Sequence, residues 1–251
     1  MFDKTAVVAA LAVGAMFALT WQLISMTGVP EYMIPTPASV WRVFADDPRH
    51  WLNHAGATFG EALVGFAVAV IFATLISVIA VGHAPLRQVV TPIAIAIQAT
   101  PIVAIAPLFV LWLGPGLWSK VGMAAVLCFF PMLIATLRGF DSVPPQRRHF
   151  FSLYTSSKMK LLFRLYFPSS VPYFFSGLRI AAPASVIGAI VAEYVGASSG
   201  LGYVITQSTY RLDTATLFAS VILSALGSMG MFFAIVMLER TIFSRYFRTM
   251  T

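Results

Sequence analysis

The sequence predicts an all-α membrane protein with six transmembrane helices. Of its 251 residues, 59% are hydrophobic and only 10% are charged, whereas soluble domains have about 25% charged residues. The mean hydropathy is +0.86. Several apolar stretches approach or exceed the roughly 20 helical residues that are needed to cross the hydrocarbon core of a bilayer. This composition excludes an ordinary soluble globular domain, which could not cover so much apolar surface.

Six apolar stretches account for the predicted helices. They cover residues 5–24, 62–81, 89–113, 121–137, 171–192 and 214–238. The first carries no charge and is longer than the roughly 7 to 15 apolar residues of a cleavable signal peptide, which is the alternative reading. The second is equally free of charge. We expect each to form one membrane helix.

The remaining four stretches differ in their helix-breaking and charged residues. The third contains Pro92, Pro101 and Pro107, and we expect a kinked or broken helix there, because bundled helices tolerate prolines whose freed carbonyls find other partners. The fourth and sixth carry no charge. The fifth contains Arg179, which we expect near one end of the span, with its guanidinium extended toward the headgroups.

The positive charges predict the orientation of the chain in the membrane. Lys and Arg resist translocation and collect on the cytoplasmic side. With a cytoplasmic N-terminus, twelve of the 16 Lys and Arg residues lie inside. The four outside are Arg42, Arg49, Lys120 and Arg211. An even number of spans then places both termini in the cytoplasm. Because topology and anionic lipid explain the net charge of +7, we expect membrane lipid and no nucleic acid as a partner.

The connection over 138–172 is much longer than the roughly 2 to 8 residues that join bundled helices. Phe150, Leu153 and Tyr154 recur at the spacing of an amphipathic helix. We predict two short helices separated by a break at 155–157, whose last residue is a serine that could cap the second helix. From periodicity alone, these helices could lie on anionic lipid or bind another protein.

Segments along most of the chain share the order and spacing of a known family. They are residues 34–37, 65–66, 106–114, 129–131, 167–168, 171–172, 177–181 and 192–203. In these segments the sequence resembles the integral-membrane permease subunits of binding-protein-dependent ABC importers, specifically the nitrate, sulfonate and taurine branch. The resemblance implies a type I importer permease fold, with 1–251 as a single transmembrane domain in the bacterial inner membrane.

The resemblance also implies that the long cytoplasmic loop binds a separate ATPase subunit through a short helix. The implied coupling residues are Arg148, His149, Phe150, Phe151, Leu153, Tyr154, Thr155, Ser156, Ser157, Lys158 and Lys160. The Glu-Ala-Ala of the family falls on 149–151 and its glycine falls on Thr155, and this chain departs from the pattern at all four positions. A further departure is Glu61, where the family usually has a basic residue.

A glycine-rich segment near the end of the fifth span is implied to form the outer gate, on the side of the binding protein. Its candidate residues are Glu193, Gly196, Gly200, Gly202 and Tyr203. An acid inside a membrane is a functional candidate by default. The alternative is that Glu193 lies in the outer headgroup zone and pairs with Arg211. The glycines would permit a tight turn.

The expected partners follow from the same resemblance. They are two ABC ATPase subunits, an extracytoplasmic solute-binding protein and a second permease copy, forming a homodimer with the path between the copies. The solute would be nitrate, a sulfonate, taurine, or a pyrimidine or vitamin precursor. No glycine is followed by lysine in the chain, as a phosphate-binding Gly-x-x-x-x-Gly-Lys-Ser/Thr turn requires. We therefore expect no bound nucleotide or other cofactor and no catalysis by this chain.

Two alternatives concern metal binding and the energy source. His50 and His54 are four residues apart and could share a metal on one helical face, but no third ligand is evident, so we expect no metal site. The other reading of both histidines is a solvated stretch before the second span. An ion-gradient-driven secondary transporter would need an inverted repeat and ionisable residues inside the spans, and neither is evident.

Overall fold

The computed structural model describes residues 4–81, 84–155 and 157–248, and within these ranges the chain is helical almost throughout. This confirms the all-α prediction. The α-helices are α1 (Lys4–Met26), α2 (Pro37–Asp46), α3 (Pro48–Val81), α4 (Ala84–Gln98), α5 (Ile102–Leu113), α6 (Leu117–Asp141), α7 (Pro145–Tyr154), α8 (Lys158–Leu161), α9 (Phe167–Gly196), α10 (Leu201–Arg211) and α11 (Thr214–Arg248). A π-helical turn, Leu162–Tyr166, joins α8 to α9.

Four helices of the described chain are long and apolar enough to cross a membrane. They are Pro48–Val81, Leu117–Asp141, Met159–Gly196 and Thr214–Ile242. They contain the predicted second, fourth, fifth and sixth spans, but each helix extends beyond the predicted bounds. Hydropathy marks the part of a helix that contacts hydrocarbon, whereas the helices continue into the polar zones on either side. The first predicted span lies in α1. The apolar part of α1, Ala12–Met26, is shorter than the four helices above.

The third predicted span is broken, as expected. The helical segments Pro92–Gln98 and Ile102–Leu113 are bent by 92° relative to each other. Pro101 explains the position of the break, because it has no N–H to donate and it disfavours helical dihedrals at the residue before it. The other two prolines of the stretch lie inside α4 and α5 without ending them.

Three central helices, α3, α6 and α9, meet at Ala124 of α6. A Cβ atom on Gly65 of α3 would lie 2.5 Å from the Ala124 Cβ, and one on Gly188 of α9 would lie 2.7 Å from the Ala124 Cα. Further along α6, the buried thiol of Cys128 donates to the carbonyl of Ala181 at 3.0 Å. Small residues thus let the three backbones approach closely, which is how helices associate when lipid surrounds them.

The contacts fix the relative directions of these helices. Glu61 of α3 contacts Lys120 of α6, and Gly65 of α3 contacts Ala124 of α6, so the contacts follow the same order along both helices. Helices α3 and α6 therefore run parallel, and the α4–α5 segment between them must return from one end of the bundle to the other. With this broken pair counted as one, the described chain has up to five spans. The count of six and the side of the termini stay predictions.

The segment at 34–37 positions α2 across one end of the bundle. Thr36 caps α2, since its Oγ1 accepts the Ser39 N–H at 3.1 Å, and Pro37 occupies the first helical position, where no N–H is needed. The indole of Trp21 donates to the Pro35 carbonyl at 3.0 Å. From there α2 packs the buried Val40 against the first turns of α10 and the start of α11.

The long connection after α6 is shorter than predicted, because α6 continues to Asp141 and an unbroken helical path runs from Lys158 into α9. The predicted break is confirmed: α7 ends at Tyr154, and Thr155 is extended, with φ −154° and ψ 130°. Ser157 caps the second helix as predicted, with its Oγ accepting the Lys160 N–H at 3.4 Å. The predicted coupling residue Ser156 lies outside the described residues.

Candidate functional site

A buried ion pair joins α3 to α6. The Lys120 ammonium donates to Glu61 Oε1 at 2.9 Å, and both side chains are more than nine-tenths buried. An isolated charge in such apolar surroundings would cost several kcal/mol, so each residue needs the other. Lys120, one of the four cations expected on the outer side, is thus buried in the first turn of α6 instead of facing water. Glu61, which departs from the family pattern, has a cation as its partner.

Glu193 of α9 lies in the same cluster and is only 1% exposed. Its Oε1 accepts the Thr58 hydroxyl at 2.7 Å, and its Oε2 accepts the Gly202 N–H at 2.6 Å. The alternative pairing of Glu193 with Arg211 is wrong. The physical reason is that α10 folds back over the end of α9 and places its first amides against this carboxylate, while Arg211 is exposed at the far end of α10.

The turn before α10 is built around Gly200, which has φ +110°. Its N–H donates to His54 Nδ1 at 2.9 Å, and the next N–H, of Leu201, donates to the Thr58 Oγ1 at 2.8 Å. A Cβ at Gly200 would overlap the Glu193 carboxylate. A positive φ and this overlap together require glycine at the position.

The other predicted gate residues surround this turn. A Cβ on Gly202 would lie 2.7 Å from the Glu193 Cβ, so Gly202 also permits close packing of α10 on α9. Gly196 is less constrained, since its Cβ would lie 3.2 Å from the Val110 Cγ1. Tyr203 stacks on the His54 ring with 6.0 Å between centroids. The structure thus brings all five candidates to one end of the bundle.

We call Thr58, Glu61, Lys120, Glu193 and the backbone of 200–202 the buried cluster. The two carboxyls lie close enough to interact electrostatically, and Oε2 of Glu61 has no hydrogen-bond partner among the described residues. The cluster therefore holds two acids and one lysine, and it ties four helices together: α3, α6, α9 and α10. The sequence pattern indicated Glu193 and the glycines but not Thr58 and Lys120. The sequence feature that could have indicated the ion pair is that Glu61 and Lys120 each stand directly before an apolar stretch.

Beside the buried cluster, a cavity of about 630 Å³ opens between α2, α3, α10 and the start of α11. Its lining includes Asp47, His50, His54, Tyr203 and Arg211. Both histidines lie within α3, ahead of the predicted second span, and are half-buried. Among the described residues, no group of three or more His, Cys, Asp or Glu side chains is arranged to hold a metal.

A second ion pair lies elsewhere in the bundle. Arg179 of α9 donates to Glu239 of α11 at 2.5 Å. Glu239 directly follows the predicted sixth span, 214–238, so this pair lies near one end of that span. The Arg179 guanidinium finds an acid on the neighbouring helix.

The predicted coupling residues of α7 form an exposed apolar surface. Phe150, Leu153 and Tyr154 are exposed, and the rings of Phe150 and Tyr154 contact each other at 4.9 Å between centroids. His149, Ser157 and Lys160 are exposed, and Phe151 and Thr155 are partly buried. The Lys158 backbone begins α8, and its side chain lies outside the described part of the structure. We call Phe150, Leu153 and Tyr154 the α7 surface.

Arg148 has a different position from the other cations near α7. Its guanidinium donates to the carbonyls of Val143, Phe140 and Asp141 at 3.0 to 3.4 Å and lies 5.6 Å from the ring centroid of Tyr166. It therefore fixes the base of α7 to the end of α6 and to the π-helical turn. Since α7 follows the end of α6 whereas Lys120 lies near its start, the α7 surface and the buried cluster occupy opposite ends of the bundle.

Comparison with known proteins adds relatives that match along most of the chain. Residues 65–244 match the family described as binding-protein-dependent transport system inner membrane component. The chain is 37% identical over 227 residues to the formylaminopyrimidine transport permease protein ThiX of Halalkalibacterium halodurans, covering 89% of this chain and 90% of the relative. It is 32% identical over 225 residues to the riboflavin transport system permease protein RibX of Chloroflexus aurantiacus, covering 88% and 83%.

A more distant relative is the taurine transport system permease protein TauC of Escherichia coli. It is 25% identical over 228 residues, which cover 86% of this chain and 82% of the relative. The putative aliphatic sulfonates transport permease protein SsuC of Bacillus subtilis is 26% identical over 223 residues, covering 86% and 79%. These matches confirm the resemblance that the sequence segments indicated.

Replacing Lys120 with methionine should destabilise the protein by about 3 to 5 kcal/mol, because it leaves the buried Glu61 carboxylate without its cation. The double variant Glu61→Gln/Lys120→Met should recover most of that loss, since it removes the orphaned charge. Chemical unfolding of the purified protein measures both, with Arg42→Met as the exposed-cation control. A double variant no more stable than Lys120→Met alone would contradict the ion pair.

Replacing Gly200 with alanine should lower the unfolding midpoint more than replacing Gly114 with alanine. Both glycines have a positive φ and a ψ near 170°, but a Cβ at Gly114 meets nothing within 4 Å, whereas at Gly200 it overlaps Glu193. The backbone strain is thus similar, and the difference reports contact with the carboxylate. Equal midpoints for the two variants would show that the packing around Glu193 is looser than described.

Proposed function

The chain belongs to the family of binding-protein-dependent transport system inner membrane components, and we propose that it forms the translocation path of an ATP-driven importer. Members of this family are transport permeases of the inner membrane, so the chain is a membrane permease rather than an enzyme. In the proposed assembly, ATP is bound and hydrolysed by two companion subunits, and this chain binds no nucleotide. The family description names a binding protein, which would deliver the solute.

The proposed solute is a small, uncharged or weakly charged heterocycle of the pyrimidine or vitamin-precursor type. The observation that carries this choice is the 37% identity over nine-tenths of both chains to a formylaminopyrimidine permease. The riboflavin relative, at 32%, supports the same class. The taurine relative, at 25%, makes a sulfonate the second choice. Selection of the solute would rest mainly with the binding protein.

We propose that the α7 surface binds a groove of the ATPase subunit. No residue of α7 is buried in the permease itself, and three apolar side chains on one face are typical of a helix that seats in a groove. The contacts of Arg148 also support the proposal, because they hold the base of α7 against α6 and Tyr166. Movement of α7 would therefore be passed to the two helices that it connects, α6 and α9.

The buried cluster would then stabilise the outer end of the permease, next to the docked binding protein. It lies at the end of the bundle opposite the α7 surface, and with a cytoplasmic N-terminus that end is the outer one.

ATP binding and release would bias the bundle between inward-open and outward-open states, provided that ATP favours one of them. A second copy of the chain would complete the path, since most soluble oligomers are symmetric dimers.

A transport assay tests this function. Proteoliposomes containing the permease, its ATPase and its binding protein should take up formylaminopyrimidine only when ATP is supplied inside, and taurine should compete about tenfold less well, a difference of roughly 1.4 kcal/mol. Vesicles without the binding protein are the control. Uptake that continues without ATP and stops with a proton ionophore would show a gradient-driven transporter instead.

A crosslinking assay tests the proposed role of α7. In a Cys128→Ser background, Leu153→Cys should form a crosslink to the ATPase, because this side chain is 71% exposed on the α7 surface. Tyr210→Cys is the matched control: Tyr210 is 82% exposed but lies on α10, at the opposite end of the bundle. Should no position between 148 and 160 crosslink, the α7 surface would not be the ATPase contact.

A further inference from the structure

The bend between α4 and α5 lies near the middle of the bundle's depth. A small cavity of about 50 Å³ at the bend is lined by Gln98 and Thr100 on one side and by Val126, Leu127 and Phe130 of α6 on the other. These three residues are close to halfway along α6, which spans Leu117–Asp141. Because α4–α5 connects the two ends of the bundle, the bend sits where a membrane is most apolar.

The bend exposes polar groups at this depth. All residues from 95 to 101 are exposed in the single chain. The Thr100 hydroxyl donates to the Ala96 carbonyl at 3.3 Å, but within the described residues the Gln98 side-chain amide has no hydrogen-bond partner. Pro101 interrupts the helical ladder next to it, so the exposed backbone is irregular as well.

This surface is incompatible with contact to lipid tails. Each unpaired polar group in hydrocarbon costs several kcal/mol, and irregular backbone occurs at membrane depth only where protein buries it or where it lines a water-filled cavity. Regular helices in this chain, such as α3, present only apolar side chains to the outside at the same depth. The bend differs from them in presenting a free amide.

We propose that the bend lines the water-filled path between two copies of the permease and that the Gln98 amide contacts the solute in passage. This inference rests on the proposed function. A carboxamide offers two N–H donors and one carbonyl acceptor and carries no charge. It therefore suits an uncharged heterocycle with both donors and acceptors, whereas an anion such as a sulfonate is better matched by a cation. In a twofold dimer, the two Gln98 side chains line one path.

Labelling of introduced cysteines tests this placement in the assembled transporter. In a Cys128→Ser background, Gln98→Cys and Ile71→Cys are compared for their rate of modification by a charged, membrane-impermeant methanethiosulfonate reagent. Ile71 is the control because it is 57% exposed on the regular helix α3, two residues from Ala69, which packs on Cys128 at a similar depth. Thr100→Cys serves as a second reporter at the bend.

The expected result is that the cysteine at position 98 reacts at least about tenfold faster than that at 71, because only a hydrated thiolate is a good nucleophile, and that its modification blocks uptake. Equal or slower labelling at both 98 and 100, or labelling that leaves uptake intact, would overturn the proposal. The labelling ratio does not depend on which solute is carried. Uptake by the transporter that carries only Cys128→Ser separately tests the proposed function.

Discussion

The close approach of α3, α6 and α9 at Ala124 is the contact on which the rest of the structure depends. Lipid tails are as apolar as leucine, so burial of apolar surface does not draw these helices together, and dispersion contacts between closely packed backbones must do so. Gly65 and Gly188 make that approach possible, since any side chain there would meet α6. About one turn away along each helix lie Glu61, Lys120 and Glu193, which the same packing brings together.

The order of dependence therefore runs from packing to charge. The ion pair and the carboxylate contacts need distances below 3 Å, and only helices that are already in contact at small residues can provide them. The α10 helix in turn depends on Glu193, which accepts one of its first amides. The end of the bundle where α3, α6, α9 and α10 meet is thus a single connected unit.

Much of the architecture was predictable from local sequence, because lipid imposes a simple pattern on it. Apolar runs located the membrane helices, Pro101 located the broken span, and Ser157 located the start of α8. The bounds were too short because hydropathy does not record helix beyond the hydrocarbon. The partners of Glu61, Glu193 and Arg179 were not predictable, since each depends on which helices become neighbours. For example, 59 residues separate Glu61 from Lys120.

The continuous helical path from α8 through the π-helical turn into α9 has a consequence for how the α7 segment can change over evolution. A helix rotates about 100° per residue, so inserting or deleting one residue between 158 and 166 would turn the start of α8 relative to α9 and away from the end of α7, which Arg148 holds against α6. Side-chain identity within α7 is under no such geometric restriction. A change of chain length in this region should consequently be tolerated less well than a change of residue type within α7.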